Sequence, residues 1–258
     1  MKNLTFLFLF LLTFSACNHK TTADATQTPV SENNIGAAFN ITPIEHATAV
    51  FTWGSSVFYI DPVGGEAAFK GQPAPEIVLV TDIHGDHLNK ETLGAVTNEN
   101  TKIIVPQAVA DSLSADMQAR LVIIKNDEIT QINGFKITAI PMYNLRPEAK
   151  KFHPKGRGNG YLIERNGQRV YFSGDTEDIP EMRNLKNIHK AFVCMNLPYT
   201  MTVEDAAAGV IAFAPQEVYP YHYRGKNGLS DVDKFKKLVN AASAEIKVVQ
   251  LNWYPEKD

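Results

Sequence analysis

Cysteine is scarce in this sequence, and the scarcity limits how the fold can be held together. The 258 residues include two cysteines, Cys17 and Cys194. Cys17 lies in an N-terminal leader, and if it is lipidated no disulfide is available, even in an oxidising compartment. Cys194 stands in an apolar run, residues 191–195, so we predict a small buried side chain there rather than a catalytic thiol.

Clustered positive charge is missing as well. The net charge is -3, and no run rich in lysine and arginine occurs along the chain. Proteins that bind nucleic acids usually carry a basic patch or stripe. The sequence therefore disfavours a nucleic-acid partner.

A Gly-x-Ser-x-Gly segment, the turn that carries the nucleophile of α/β-hydrolases, is absent from the sequence. We therefore set a serine triad aside. The body of the chain also lacks internal repeats and low-complexity tracts. With 44% hydrophobic and 21% charged residues, the composition is ordinary for a globular protein.

The most apolar run, residues 4–12, is too short to span a bilayer as a permanent helix. Lys2 precedes it, and Ser15-Ala16 stand immediately before Cys17, as in a secretory signal peptide. Small residues before a cysteine resemble the lipobox of bacterial lipoproteins. That resemblance implies an acylated Cys17 and a lipid-anchored protein in the bacterial cell envelope, on the periplasmic or outer-membrane side. A plain signal peptide is the alternative.

The chain is accordingly divided into three segments. Residues 1–17 are predicted to be the signal peptide. Residues 18–38 are rich in Thr, Ala, Asn and Gln, and we predict a flexible tether because they cannot bury enough surface to offset their ordering entropy. Residues 39–258 are predicted to form a single domain.

Short β-type runs separated by turn residues dominate the body of the chain. Asn133-Gly134 and Asn166-Gly167 each separate two such runs, a strong hairpin signal. Residues 41–50 are predicted to form one strand, so His46 is interpreted as a core residue, at most a partner of a ligand.

Helical spacing follows the β-type runs in both halves of the chain. Residues 88–96 form the first such pattern. Thr202 and Ser230 are predicted to cap two later helices. Strand-rich hairpins followed by helices, twice over, predict two β-sheets packed face to face with helices outside, an α/β sandwich.

Candidate metal ligands cluster directly after the apolar run 77–80. A buried strand fixes the start of the turn that follows it, so closely spaced side chains can converge on one point. Imidazoles and carboxylates together suit zinc or another divalent first-row ion. A polar loop with two solvated histidines is the alternative. The candidates are Asp82, His84, Asp86 and His87.

Three further candidates stand beside other predicted strands. His153 lies in the irregular segment 142–160, Asp175 follows the run 169–172, and His222 follows the run 217–221. Ligand-type side chains that recur at strand ends, on one edge of a sandwich, predict a metal centre there.

With these residues the chain resembles the metallo-β-lactamase superfamily, specifically its metal-dependent hydrolases of the lactonase and phosphodiesterase type, over residues 39–251. The resemblance implies a four-layer αββα sandwich of two mixed β-sheets. The family's H-x-H-x-D-H turn is matched by residues 82–87, its later ligands by His153, Asp175 and His222, and its strand-ending Asp-Pro by Asp61-Pro62. It implies two divalent ions, one held by Asp82, His84 and His153, the other by Asp86, His87 and His222, with Asp175 as the bridge.

One position departs from the family's pattern. Asp82 stands where the family usually has histidine, and a carboxylate has a shorter reach and adds negative charge. Zinc is the expected metal, and manganese or iron becomes more plausible than for an all-histidine turn.

The resemblance implies a hydrolase that uses a metal-bound hydroxide to cleave an ester, lactone, amide or phosphodiester bond. Asp86 is expected to orient the water or shuttle its proton. The alternative is a non-catalytic exported metal-binding module that keeps the fold, which Asp82 favours.

The substrate is expected to be a small molecule or lipid-derived. Arg224 is the first candidate for contact with an anionic group of the substrate. Asn159 and Tyr199 are further candidates, as is Arg157.

Overall fold

The computed structural model describes Met1 and residues 38–255. The predicted leader beyond Met1, Cys17 and the predicted tether up to residue 37 lie outside the described residues. Among the helices of the described part, none combines the length and apolar character that crossing a bilayer requires.

The first sheet has six strands, in the order in which they occur along the chain. The first three are antiparallel, and the third to the sixth are parallel. Helices α1 (Lys90–Val96) and α2 (Gln107–Ser112) lie between its later strands in sequence. The strands are β1 (Phe39–Glu45), β2 (Thr48–Trp53), β3 (Ser56–Ile60), β4 (Ile77–Leu79), β5 (Lys102–Val105) and β6 (Leu121–Ile123).

The second sheet repeats this plan with seven strands. An antiparallel meander comes first, and parallel strands follow. The strands are β7 (Ile129–Ile132), β8 (Phe135–Met142), β9 (Gly158–Arg165), β10 (Gln168–Phe172), β11 (Lys190–Val193), β12 (Glu217–Pro220) and β15 (Lys247–Val248), in the spatial order β15-β12-β11-β10-β9-β8-β7.

Two short 3-10 helices, Glu66–Phe69 and Gln118–Arg120, lie in the first half; the remaining elements of the described chain belong to the second. A small hairpin joins β13 (Arg224–Gly225) to β14 (Gly228–Leu229). The helices are α3 (Pro180–Arg183), α4 (Val203–Phe213) and α5 (Val232–Ala242).

The alternation of side chains along β2 shows how the layers are formed. Phe51 points into the core between the sheets, where its ring stacks on Phe58 at 4.6 Å and on Phe172 of the other sheet at 5.3 Å. Its neighbour Val50 belongs to a separate cluster with Leu93 of α1, on the outer face of the first sheet. Because successive strand residues face opposite sides, one strand serves both layers. Two mixed sheets with helices outside confirm the predicted sandwich.

The prediction of one strand over residues 41–50 is wrong. The chain turns at His46 and Ala47, which separate β1 from β2, and His46 adopts a φ of 58°. A non-glycine residue rarely takes this left-handed conformation. The turn carries His46 out of the sheet, with consequences for the site described below.

Of the two predicted helix caps, one is confirmed and one is wrong. The Thr202 hydroxyl accepts a hydrogen bond from the Asp205 N–H at 3.0 Å, which confirms the cap of α4. The cap of α5 is Asp231, whose carboxylate accepts from the Lys234 N–H at 2.8 Å, so the prediction of Ser230 was wrong. The Ser230 hydroxyl donates instead to the Met195 carbonyl.

Candidate metal centre

The turn after β4 brings its ligand-type side chains to the edge of the first sheet. The N–H groups of His87 and Leu88 both donate to the His84 carbonyl, at 3.0 and 2.8 Å, and close the turn. Asp82 and His87 are fully buried, whereas the side chains of His84 and Asp86 are 38% and 44% exposed. The turn therefore has a buried pair and a pair that faces solvent.

The second sheet supplies three more side chains, and Asp175 lies at their centre. Asp175 Oδ2 is 3.1 Å from His153 Nε2 and 3.4 Å from His87 Nε2. Asp175 Oδ1 is 3.4 Å from His222 Nε2. One carboxylate thus faces imidazoles that come from both sheets.

All seven predicted ligands are brought together, and Asp175 lies next to His153, His87 and His222. We call Asp82, His84 and His153 the first subsite; their ligand atoms lie within 4.8 Å of one another. The second subsite consists of Asp86, His87 and His222. His87 and His222 form a second such group with Asp175, and Asp86 and His222 form a third with His46.

The donor set fits divalent cations. His87 Nε2 and His222 Nε2 face each other at 3.2 Å, an arrangement that needs a proton or a cation between the two nitrogens. Among the described residues, His153 Nε2 and Asp175 Oδ1 are buried without a hydrogen-bond partner. Buried polar atoms are nearly always paired, so orphaned ligand atoms that point to one place are suited to a metal ion.

A buried carboxylate fixes the tautomer of His87. Asp61 follows β3, is fully buried and accepts from the Thr81 N–H and Thr81 hydroxyl at 2.7 Å each. Its Oδ2 lies 2.8 Å from His87 Nδ1. Because an ionised carboxylate only accepts, Nδ1 carries the proton and Nε2 is left free. Asp61 is thus the hydrogen-bond partner of a predicted ligand histidine.

A backbone carbonyl orients His153 in the same way. His153 Nδ1 lies 3.1 Å from the Tyr199 carbonyl. The Asn144 amide near this nitrogen already directs its hydrogens at the Ala149 and Tyr199 carbonyls. Nδ1 therefore donates to Tyr199, and Nε2 faces Asp175.

His46, which the sequence indicates is at most a partner of a ligand, lies beside the predicted ligand Asp86. Its Nε2 is 3.4 Å from Asp86 Oδ2, and its ring lies 3.8 Å from that of His222. The Tyr254 hydroxyl, 2.8 Å from His46 Nδ1, accepts from two backbone N–H groups. The hydroxyl hydrogen of Tyr254 therefore points to His46 Nδ1. The ring proton of His46 is then on Nε2, which donates to Asp86. Burial, the largest influence, lowers the pKa of His46 to about 4 and keeps the ring neutral.

Asp82 is engaged by a cation of the chain itself. Arg157 Nε lies 3.0 Å from Asp82 Oδ1, and Arg157 Nη2 lies 2.6 Å from Oδ2. The same Nη2 donates to the Phe152 carbonyl and lies 3.3 Å from His84 Nε2. Burial raises the pKa of Asp82, but hydrogen bonds from His84 and Arg157 outweigh it, and the net shift is downward.

The other two carboxylates of the centre are also held ionised. Burial raises the pKa of Asp86, but the charge of His87 and hydrogen bonds to His222 and His46 outweigh it and place the pKa well below its usual range. For Asp175, burial raises the pKa, but the charges of His222 and His87 outweigh it and hold the pKa well below its usual range. The centre therefore keeps its negative charge.

That negative charge acts on His87. Burial alone lowers the pKa of His87, but the carboxylates of Asp175, Asp61 and Asp86 together raise it well above its ordinary value. A position where carboxylates attract a proton this strongly also attracts a metal ion, and the two compete for Nε2.

Three residues of this region hold left-handed backbone conformations: His46, Asp61 with φ 45° and His222 with φ 48°. Gly174, just before Asp175, has φ 60°, and a Cβ there would lie 2.6 Å from Met142 Sδ. Such conformations persist only where the surrounding structure holds them, and they concentrate at functional sites.

A cavity of about 330 Å³ opens onto the centre. Tyr199 lines it, as predicted for a substrate contact, together with Phe152 and Asn196. The rings of Phe152 and Tyr199 meet edge to face at 5.2 Å. The lining is completed by His84, Asp86, His153 and Asp175.

The other three substrate candidates are occupied by contacts within the fold, Arg157 by its pair with Asp82. Asn159 is 1% exposed; its amide donates to the Ile124 carbonyl at 2.8 Å and accepts from Asn126 at 2.7 Å, so it joins β9 to the segment between β6 and β7. The Arg224 guanidinium pairs with Glu45 at 3.2 Å and covers the Tyr254 ring at 4.8 Å. None of the three side chains is among the described residues that line the cavity.

Several known proteins are similar to this chain. Residues 57–223 match the family described as the beta-lactamase superfamily domain. A UPF0173 metal-dependent hydrolase of Thermococcus onnurineus is 29% identical over 195 residues, which cover 72% of this chain and 86% of the relative. A second UPF0173 metal-dependent hydrolase, from Pyrococcus furiosus, is 27% identical over 210 residues, 77% of this chain and 91% of the relative.

Two solved structures share the fold. A candidate metal-dependent hydrolase of Parabacteroides distasonis has a TM-score of 0.74 and 37% identity, over 82% of this chain and 92% of that one. Igni18, a metallo hydrolase of Ignicoccus hospitalis, has a TM-score of 0.69 and 20% identity, over 83% of this chain and 94% of that one. At that lower identity, the second likeness shows the fold alone.

Proposed function

The chain belongs to the beta-lactamase superfamily domain family as a metal-dependent hydrolase, and we propose that it cleaves an ester, lactone, amide or phosphodiester bond at the two subsites. The observation that carries the proposal is the shared carboxylate of Asp175, which faces ligand nitrogens of both subsites at the floor of an open cavity. A purely structural zinc site is usually closed by four ligands and has no open position.

Divalent ions at such ligands lower the pKa of a bound water from about 15.7 towards about 7 and polarise the bond under attack. We propose zinc as the first choice of metal, with manganese or iron as alternatives because Asp82 adds a hard oxygen ligand.

The chain's own contribution centres on Asp86. Its side chain is 44% exposed and lines the cavity, with Oδ2 within 3.4 Å of both His46 Nε2 and His222 Nε2. The proton on His46 Nε2 holds Oδ2 in place, so the carboxylate is oriented towards the cavity. In this position Asp86 can orient the attacking water and accept its proton.

The cavity wall favours a substrate with an apolar part. Phe152 and Tyr199 form one side of the cavity, and the buried Asn196 adds a polar group. Small molecules and lipid-derived compounds both suit such a wall, and we propose this class for the substrate.

The proposal is tested by elemental analysis of the purified domain, run together with a panel of lactone and phosphodiester substrates. We expect bound divalent metal, turnover that a chelator abolishes, and recovery when metal is restored. His222→Ala should lose turnover, while Arg169→Gln, which removes the partly buried ion pair with Glu164 on the neighbouring strand, should keep it. Turnover that survives complete removal of metal would contradict the proposal.

A second candidate function is a non-catalytic metal-binding module. The observation that favours it is the Asp82–Arg157 pair, which engages both oxygens of a predicted ligand. This candidate predicts tightly held metal and no turnover on any substrate of the panel after reloading with zinc, manganese or iron.

We also propose that the protein is exported and anchored by a lipid on Cys17, as the leader sequence indicates. Expression of the full chain in a bacterial host with a labelled fatty acid should label the protein, and Cys17→Ala should remove the label. Export with an unlabelled, cleaved N-terminus would favour the plain signal peptide.

A further inference from the structure

The first subsite has a positive charge built into it. Arg157 contacts both oxygens of Asp82, and the pair is withdrawn from solvent: the Asp82 side chain is 0% and that of Arg157 is 18% exposed. A guanidinium is not deprotonated in proteins. A fixed cation therefore lies against this predicted ligand at every accessible pH.

The same guanidinium affects His84. Arg157 Nη2 lies 3.3 Å from His84 Nε2, and His84 Nδ1 lies 3.0 Å from Asp82 Oδ2. Because a guanidinium only donates, the arrangement places the proton of His84 on Nδ1, facing Asp82, and leaves Nε2 to face Arg157. Binding a metal through Nδ1 would move that proton to Nε2, where it meets the donor of Arg157.

The second subsite has the opposite surroundings. His87 Nδ1 donates to the buried carboxylate of Asp61 at 2.8 Å, and its Nε2 points to Asp175 and His222. A carboxylate behind a ligand imidazole raises its basicity and fixes its tautomer. The second subsite is thus backed by an anion, and the first by a cation.

We propose that Arg157 acts as the built-in cation of the first subsite, so that the protein holds one divalent ion tightly in the second subsite and another only weakly in the first. The inference rests on the proposed function and refines it, since it assigns different affinities to the two subsites. Arg157 is a positioning residue, because it contacts ligands rather than reacting atoms.

The expected difference in affinity follows from the size of such effects. Partners that hydrogen-bond to metal ligands change metal affinity by about 10- to 100-fold. We therefore expect the two dissociation constants of the wild-type protein to differ by at least about tenfold, with the tighter step assigned to the second subsite.

Calorimetric titration of the metal-free protein with Zn²⁺, and separately with Mn²⁺, measures both steps. The wild type should show one tight and one weak step, and should keep a single ion through gel filtration. Arg157→Gln removes the charge and should tighten the weak step by about 10- to 100-fold, so that two ions are kept. Arg157→Lys retains the charge and should behave like the wild type. Arg169→Gln is the control for a lost arginine far from the centre.

Two ligand variants locate the tight ion without any change at Arg157. His84→Ala should keep the tight step, because it alters the first subsite alone. His87→Ala should lose it. Melting temperatures add a second readout: metal-free Arg157→Gln leaves Asp82 without its cation and should melt below the wild type, and added metal should raise its melting temperature more than that of the wild type.

The outcomes separate the inference from the function on which it rests. Two equally tight steps in the wild type, an unchanged weak step in Arg157→Gln, or loss of the tight step in His84→Ala would each overturn the inference and leave the metal-dependent hydrolase in place. A wild-type protein that binds neither Zn²⁺ nor Mn²⁺ would overturn the proposed function itself.

Discussion

The two subsites use the same kinds of ligand but differ in the residues behind them. In the second subsite, His87 is backed by the buried carboxylate of Asp61. In the first, Asp82 is backed by the guanidinium of Arg157. Ligand identity alone would give the two subsites similar metal affinities, but the charges behind the ligands make those affinities differ. The comparison shows that the hydrogen-bond partners of a ligand determine metal affinity as much as the type of the ligand does.

The largest effect is expected from Asp175, which faces ligands of both subsites. Asp175→Asn removes the shared charge, and the amide nitrogen would face imidazoles as a donor. We expect metal affinity to fall by at least about 100-fold, the upper end of what an outer partner alone can cause, with turnover falling in parallel. Calorimetry and kinetics on the same sample check this. Retention of either ion at wild-type affinity would show that Asp175 does not join the subsites.

A smaller loss is expected when the anion behind the second subsite is neutralised. Asp61 accepts three hydrogen bonds, two from Thr81 and one from His87, and an asparagine amide cannot accept on both sides. Asp61→Asn should weaken the tight ion by about 10- to 100-fold and leave the weak step unchanged. If the weak step changed instead, the assignment of the two subsites would be reversed.

The next effect concerns orientation rather than metal affinity. His46→Ala removes the donor that holds Asp86 Oδ2, so turnover should fall about tenfold, and metal content should fall much less than turnover. His46→Gln can still donate from its amide and should recover part of the loss. A drop in metal content equal to the drop in turnover would make His46 a ligand rather than a positioning residue.

The smallest effect is expected for Glu217, a carboxylate outside the metal centre, whose replacement is the control for loss of a charge. Burial raises the pKa of Glu217, but hydrogen bonds with Lys190, Lys247 and Tyr219 outweigh it and lower the pKa to about 2. A lowered carboxyl pKa contributes stability that is present above its ordinary value and is lost as the pH falls through the folded value. Glu217→Gln should therefore melt slightly below the wild type at pH 7, the difference should vanish near pH 2, and metal binding should stay unchanged. Melting curves between pH 2 and 7 measure this.

The sequence was sufficient to predict the sandwich and the seven clustered side chains because local signals agreed with the fold. The Asn-Gly pairs at 133–134 and 166–167 produced the expected hairpins. Carboxyl ends of parallel strands meet at one edge, so Asp175 and His222 arrived beside the turn of residues 82–87.

The missed features depend on contacts that no local pattern contains. His46 turns the chain without the glycine or asparagine that usually occupies a left-handed position, so the run 41–50 was interpreted as one strand. The Asp82–Arg157 pair joins residues 75 positions apart, and each was considered separately, one as a ligand and the other as a substrate contact. Asn159 and Arg224 are predicted to contact the substrate, whereas the fold uses their donors internally.

The origin of the ligands has a consequence for how the protein matures. One set comes from the turn after β4 in the first sheet, and His153, Asp175 and His222 come from the second. The His222 N–H also donates to the His46 carbonyl at 3.2 Å, across the boundary between the two halves. An ion that needs ligands from both halves binds only after the sheets have docked. At a free-ion concentration of about 100 times the dissociation constant, binding would stabilise the docked state by about 2.7 kcal/mol. Metal uptake therefore follows the docking of the two sheets, and a bound ion strengthens the docked state.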